Sequence, residues 1–204
     1  MSSYMVIAGV SEALRSVLWD ELSTDPEVGQ LFPSEQDIVF TNPTETAQNT
    51  ANRLSLWLYQ IMENEFVKNQ PMVRANGNDA LQYPPLAVNL SYLITPFASP
   101  VNGDNSVRDE NHMILGKVMQ VFHDNPIILL RDTTNNIAEE LRIIFKRLTL
   151  EEQTRIWEAL RESYRLSICY QVQVTRIDSR RESGNARVIE RAADHGTVPA
   201  QATG

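Results

Sequence analysis

Hydrophobic residues along this chain recur with two periods, and the period of two is the more regular. Between Pro84-Pro85 and Thr95-Pro96, Leu86, Val88, Leu90, Tyr92 and Ile94 alternate with Ala87, Asn89, Ser91, Leu93 and Thr95. Successive side chains of a strand leave opposite faces of the pleat, so the pattern predicts a half-buried strand over 86–94. The prolines lack the N–H a ladder needs and sit at its ends. Leu166, Ile168, Tyr170, Val172 and Val174 alternate with Ser167, Cys169, Gln171, Gln173 and Thr175 and predict a second strand. Leu141, Ile143 and Phe145, set against Arg142, Ile144 and Lys146, predict a third. Residues 53–62 are apolar on both faces, which suits a central strand covered on both sides, although their length does not exclude a helix. Ile38–Phe40 and Ile127–Leu130 are shorter apolar runs.

The helical period marks three stretches. Over 4–22, Ile7, Val10, Leu14, Val17 and Leu18 recur at three- and four-residue steps, with Ser2 or Ser3 as cap and Ser23-Thr24-Asp25-Pro26 as the turn that follows. Ser106 and Asp109 form an approximate capping box ahead of Ile114, Leu115, Val118, Val121 and Phe122, and Asn125-Pro126 ends that helix. Thr149 and Glu152 form a cleaner box ahead of Ile156, Trp157 and Leu160. Residues 44–52 are polar and aperiodic. Residues 67–83 read as a long loop, or as a small hairpin turning at Asn76-Gly77. Periodicity ends at Ser179, so the expected organisation is a domain over 1–179 and a flexible tail over 180–204. The order of elements predicts an α+β fold, a mixed β-sheet with helices packed on it, and not a regular βαβ alternation.

Composition narrows the function. A net charge of −8 argues against a general nucleic-acid binder, which needs clustered Lys and Arg. No apolar run approaches eighteen residues, so no membrane span is expected. Gly9, Ser11 and Glu12 interrupt the apolar core a signal peptide would need, and synthesis in the cytoplasm is the expectation. Four arginines against three acids leave the tail at +1 and the body at −9. Within that tail Val188-Ile189 lies between Arg187 and Glu190-Arg191, and Arg180, Arg181, Arg187, Val188, Ile189 and Arg191 are the candidate assembly contacts.

Candidate chemistry is sparse. Cys169, the single cysteine, has no neighbouring base in the sequence and reads as an ordinary half-buried residue. His112 and His123 lie roughly three helical turns apart, too far to share a metal, and His123 suits a helix C-terminus. Glu63, Glu65, Glu139, Glu140, Glu151 and Glu152 read as solvated carboxylates, and Trp19, Trp57 and Trp157 as core. No phosphate-binding glycine loop, HExxH or GxSxG pattern is present. The expectation is a protein without catalytic residues, metal or cofactor.

Four segments in series carry a family resemblance: LSLWLYQIMEN (54–64), PPLAVNLSYLITPFA (84–98), HMILGKVMQVFHDNPI (112–127), and LTLEEQTRIWEAL with YRLSICYQVQVTRIDS (148–179). In this order they resemble the cap, or tail-terminator, proteins of phage-tail-like contractile injection systems of the Photorhabdus virulence cassette and antifeeding prophage kind. The resemblance implies a fold similar to phage tail terminators and a structural role. It implies a hexameric ring on the last layer of inner tube and contractile sheath, which ends polymerisation and locks the baseplate-distal end. Partners would be further copies, sheath protein and tube protein, first in the cytoplasm and then in the particle. Two other classes fit the residues: another tail component such as a sheath-like or baseplate adaptor protein, and a small enzyme whose site residues meet only in three dimensions.

Overall fold

The computed structural model describes residues 4–49, 51, 53–68, 72–74, 81–97, 104–131, 137–177 and 182–183. Its elements in chain order are α1 (Val6–Thr24), β1 (Ile38–Val39), α2 (Pro43–Ala47), β2 (Leu54–Glu63), β3 (Val73–Arg74), β4 (Leu81–Gln82), β5 (Leu86–Pro96), α3 (Asp104–Asp124), β6 (Ile127–Arg131), β7 (Ile137–Phe145), α4 (Leu150–Leu160), β8 (Ile168–Ile177) and β9 (Glu182–Ser183). The chain divides into two units, Met1–Gln70 with Pro85–Asp178, and Pro71–Pro84 with Ser179–Gly204.

The first unit is built on a six-stranded sheet in the order β1-β2-β5-β8-β7-β6. β1 runs parallel to β2, and every other neighbouring pair is antiparallel. It is therefore a mixed sheet with helices on it, the predicted α+β architecture. On one face lie α1 and α3, touching each other as well as the strands. Val10, Leu14, Leu18 and Leu22 of α1 and Ile114, Val118, Val121 and Phe122 of α3 meet Val88, Leu90, Tyr92 and Ile94 of β5 in one core cluster. Each large apolar side chain so buried stabilises the fold by roughly 1.5–3 kcal/mol before chain entropy is subtracted. The buried Tyr92 hydroxyl is 2.9 Å from Ser11 Oγ of α1, which supplies the partner its burial demands. Asp25 locks the turn after α1: its carboxylate accepts from Glu27 N and Val28 N at 3.0 Å each and pairs with Lys117 Nζ of α3 at 3.0 Å. The Val28 N–H first, then Lys117, hold Asp25 below the usual carboxylate range. Close by, a Cβ on Gly29 would stand 2.8 Å from Ser23 O, so no larger residue fits without moving backbone.

The face opposite α1 differs from the expectation. β5 is buried on both sides: Ser91 and Thr95 are fully buried with Leu93, while Leu86 at its start is exposed. A strand with neighbours on both edges and both faces covered shows no solvent side, and alternation reports only which face carries the larger residues. Over the β1–β2 end lies α2, where Asn42 Oδ1 caps Glu45 N at 2.9 Å, Pro43 holds the first helical position and Thr46 is fully buried. This helix occupies part of 44–52, read as aperiodic: five residues are too short to show a period, and the Asn-Pro start was its only signal. β2 is buried on both sides only at Leu54–Leu56, then rises into solvent past an irregularity between Leu58 and Gln60. α3 begins at Asp104, so Ser106 lies inside it and does not open it. β8 starts at Ile168, leaving Leu166 ahead of the strand and exposed. The α4 capping box is present, with Thr149 Oγ1 accepting from Glu152 N at 3.2 Å and Glu152 Oε2 accepting from Thr149 N at 2.7 Å.

In the second unit β4 pairs antiparallel with β3 on one side and with β9 on the other. The β3–β4 pairing agrees with the hairpin alternative for 67–83, whose turn at Asn76-Gly77 lies outside the described residues, and Glu182–Ser183 adds a strand inside the stretch expected to lack one. Two-residue strands leave no periodic signal to read.

Three substitutions test this account by urea or thermal unfolding. Leu90→Ala should cost about 2–5 kcal/mol, since Leu90 is fully buried between sheet neighbours. Thr149→Ala should cost roughly 1 kcal/mol through the lost cap. Arg161, which closes α4 at φ 56°, holds a left-handed conformation that glycine adopts freely, so Arg161→Gly should gain roughly 1 kcal/mol. A further test is alkaline. Burial pushes the Tyr92 hydroxyl up to about 12, above its ordinary 10, so unfolding releases a proton there. Its contribution is complete below pH 10 and lost between about pH 10 and 12. Chemical denaturation over that range should show the decline, and it should be shallower in Tyr92→Phe.

Candidate assembly interface

Cys169 lies on β8, and the two histidines His112 and His123 on α3. Cys169 is buried on β8, its Sγ 3.3 Å from the hydroxyl of Tyr59 on β2. Burial pushes its thiol up, against the smaller opposing effects of the Tyr59 hydroxyl and Lys146. The neutral thiol is a poor nucleophile. Burial likewise raises the Tyr59 hydroxyl, helped by its Cys169 contact. Lys146 Nζ donates to Gln60 Oε1 at 3.0 Å and to Ser91 Oγ at 3.2 Å, so its charge serves the buried β5 serine. His112 and His123 are exposed on α3, His123 in its last turn, as the helix-terminus reading expects. Among the described residues no group of three His, Cys, Asp or Glu is placed to hold a metal ion. No helix among them is long and apolar enough to cross a membrane. Trp157 is buried and Trp19 packs against the core, while Trp57 is only partly covered.

What the surface offers is sheet edge and exposed apolar side chains. The edge strands of the six-stranded sheet are β1 and β6, which topology alone decides. On β6, Ile128 is buried and Leu130 packs against the core, with a tip that would stand 3.5 Å from a Cβ on Gly9 of α1. Ile127 and Leu129 therefore point to the other face, where they are half exposed. Ile127 is paired with Arg142 and Leu129 with Glu140, and exposed Ile144 shares their face two residues along β7. Ile61 and Met62 at the outer end of β2 are also exposed, and Phe66 beyond them is entirely so.

The β1 edge is shaped differently. A hollow of about 570 Å³ runs beside it, lined in part by Arg15, Gln36, Phe40, Asn42, Glu45 and Trp57. The Arg15 guanidinium lies 4.9 Å from the centre of the Phe40 ring, pairs with Glu35 at 3.3 Å and also with Glu12. The predicted assembly contacts Arg180, Arg181, Arg187, Val188, Ile189 and Arg191 lie outside the described residues. Sequence reasoning did not single out the exposed residues of β2 and β6, since an apolar run carries no mark of an edge position.

Fold and surface together define an α+β domain whose exposed features suit protein contacts. A family model described as the Pvc16 N-terminal domain matches residues 9–191, and the chain belongs to that family. Two solved structures share the fold. One is the sheath/tube terminator of the PVC extracellular contractile injection system in its extended state, with a TM-score of 0.61 and 17% identity over 99% of this chain and 66% of that one. The other is the tube-terminating cap of the anti-feeding prophage, with a TM-score of 0.60 and 18% identity over 94% and 60%. The chain thus spans just under two thirds of the first and three fifths of the second. Among curated proteins no relative was found.

Replacing Cys169 by Ser, or His112 and His123 by Gln, should leave folding and particle assembly unchanged. Native Cys169 should react with a thiol reagent far more slowly than in the unfolded chain. Loss of assembly by a well-folded Cys169→Ser protein would return the thiol to consideration.

Proposed function

We propose that this chain is a structural terminator of an extracellular contractile injection system, ending tube and sheath polymerisation and locking the baseplate-distal end. The observation that carries the reading is family membership over residues 9–191, joined to a fold shared with two terminating caps. It acts as a hexameric ring on the last tube and sheath layer, with tube protein, sheath protein and its own copies as partners, and without catalysis. The ring form follows from the family resemblance, and two sheet edges that no other described strand pairs with are compatible with it. Assembly takes place in the cytoplasm, and the protein then remains part of the particle. Residues 1–179 supply the cap domain. The segment 180–204, through Arg180, Arg181, Arg187, Val188, Ile189 and Arg191, adds contacts to neighbouring subunits, because its positive charge meets an acidic body.

Deleting the gene should give particles of irregular length or few intact ones, and electron microscopy should place the chain at the end opposite the baseplate. Unchanged length and yield would refute the terminator reading. Removing residues 184–204 should leave the melting temperature of the rest unchanged and weaken capping.

A further inference from the structure

The hollow beside β1 lies at one edge of the six-stranded sheet. Its lining comes from both faces of the sheet. Phe40 and the fully buried Ile38 belong to the α1 side, and Arg15 reaches Phe40 from α1 itself. Asn42 and Glu45 belong to α2, over the opposite face. A concavity bounded from both faces of an edge strand lies along that edge, where an added strand would pair. β1 is last in the strand order, and no other strand among the described residues pairs with its outer side. An incoming strand would lie against half-buried Val39, since Ile38 is fully buried, with its alternate side chains toward Phe40 and Trp57. The charge of the rim selects the visitor. Arg15 is already engaged by Glu12 and Glu35, so these two with Glu45 leave carboxylates in excess of guanidinium.

We propose that this hollow receives residues 187–191 of a second copy, added as a strand along β1. The segment reads Arg187-Val188-Ile189-Glu190-Arg191, an aliphatic pair between arginines, in a tail of net charge +1 on a body of −9. In an extended chain Arg187, Ile189 and Arg191 leave one side and Val188 and Glu190 the other. With Ile189 toward Trp57, both arginines lie on the Glu45 side of the hollow, and Val188 faces Phe40. A contact with the groove on one copy and the segment on the next is heterologous, the kind that closes into a ring. The inference rests on the ring-forming reading above and specifies one of its contacts.

The test uses full-length protein at high concentration. Ile189→Cys is labelled with a benzophenone maleimide, Cys169 being buried, mixed with an isotope-labelled unmodified copy, irradiated and mapped by mass spectrometry. The expected product joins position 189 of one copy to residues 36–45 of the other. Glu45→Lys in the acceptor should lower its yield about five-fold, and salt should weaken it further, as for an exposed charge contact. Arg187→Glu with Arg191→Glu in the donor should do the same while leaving the hollow untouched. Cross-links within a single copy, to another region, or none at all would overturn the proposal. So would a yield indifferent to both sets of charge changes. Particle length with and without the gene is measured separately, so loss of the groove contact and loss of the terminator role are distinguishable.

Discussion

Burial of both faces of β5 is the constraint on which the rest of the first unit depends. The strand lies between β2 and β8, with α1 and α3 over its large apolar side chains and a second, thinner cover over Ser91, Leu93 and Thr95. Hydroxyls in that position must find partners or cost stability. Ser91 draws the Lys146 ammonium inward from the segment between β7 and α4. On the neighbouring strand Ser55, also fully buried, donates to Thr41 O at 2.7 Å, and the Thr41 hydroxyl meets that of Thr46 at 2.9 Å. The position of α2, and with it one wall of the β1 hollow, follows from this chain of hydrogen bonds.

The two edges of the sheet are consequently unlike. β1 is short, parallel to its neighbour, and flanked on both sides by side chains that make a trough. β6 is longer and antiparallel, and presents Ile127 and Leu129 on a face with exposed Ile144 beside it. A protein with two different edges can form head-to-tail contacts with copies of itself, or present one edge to its own kind and the other to a different subunit. Tyr59 and Cys169 meet on one face of the sheet, and burial raises both groups further above neutral pH.

Much of the architecture was legible in the chain. Long runs with a clear period, α1, the apolar face of α3, β5, β7 and β8, were recognisable because each buries a face and must repeat at its own pitch. The Thr149–Glu152 box was legible for the same local reason, since both of its bonds close within one turn. What lacked a period or a local bond was not. α2 and the two-residue strands are too short to repeat, and the covering of β5's small-residue face depends on residues distant in sequence such as Lys146. The edge positions of β1 and β6 belong to strand order, which no local pattern encodes. The hollow is remoter still: Arg15, Phe40, Glu45 and Trp57 stand on four separate stretches of chain, and only β1's parallel pairing with β2, under α1, gathers them. Sequence determined which residues must be buried, because the hydrophobic effect acts on each side chain. Tertiary structure decided which edges and surfaces were left over, because that depends on how all the buried faces share one sheet.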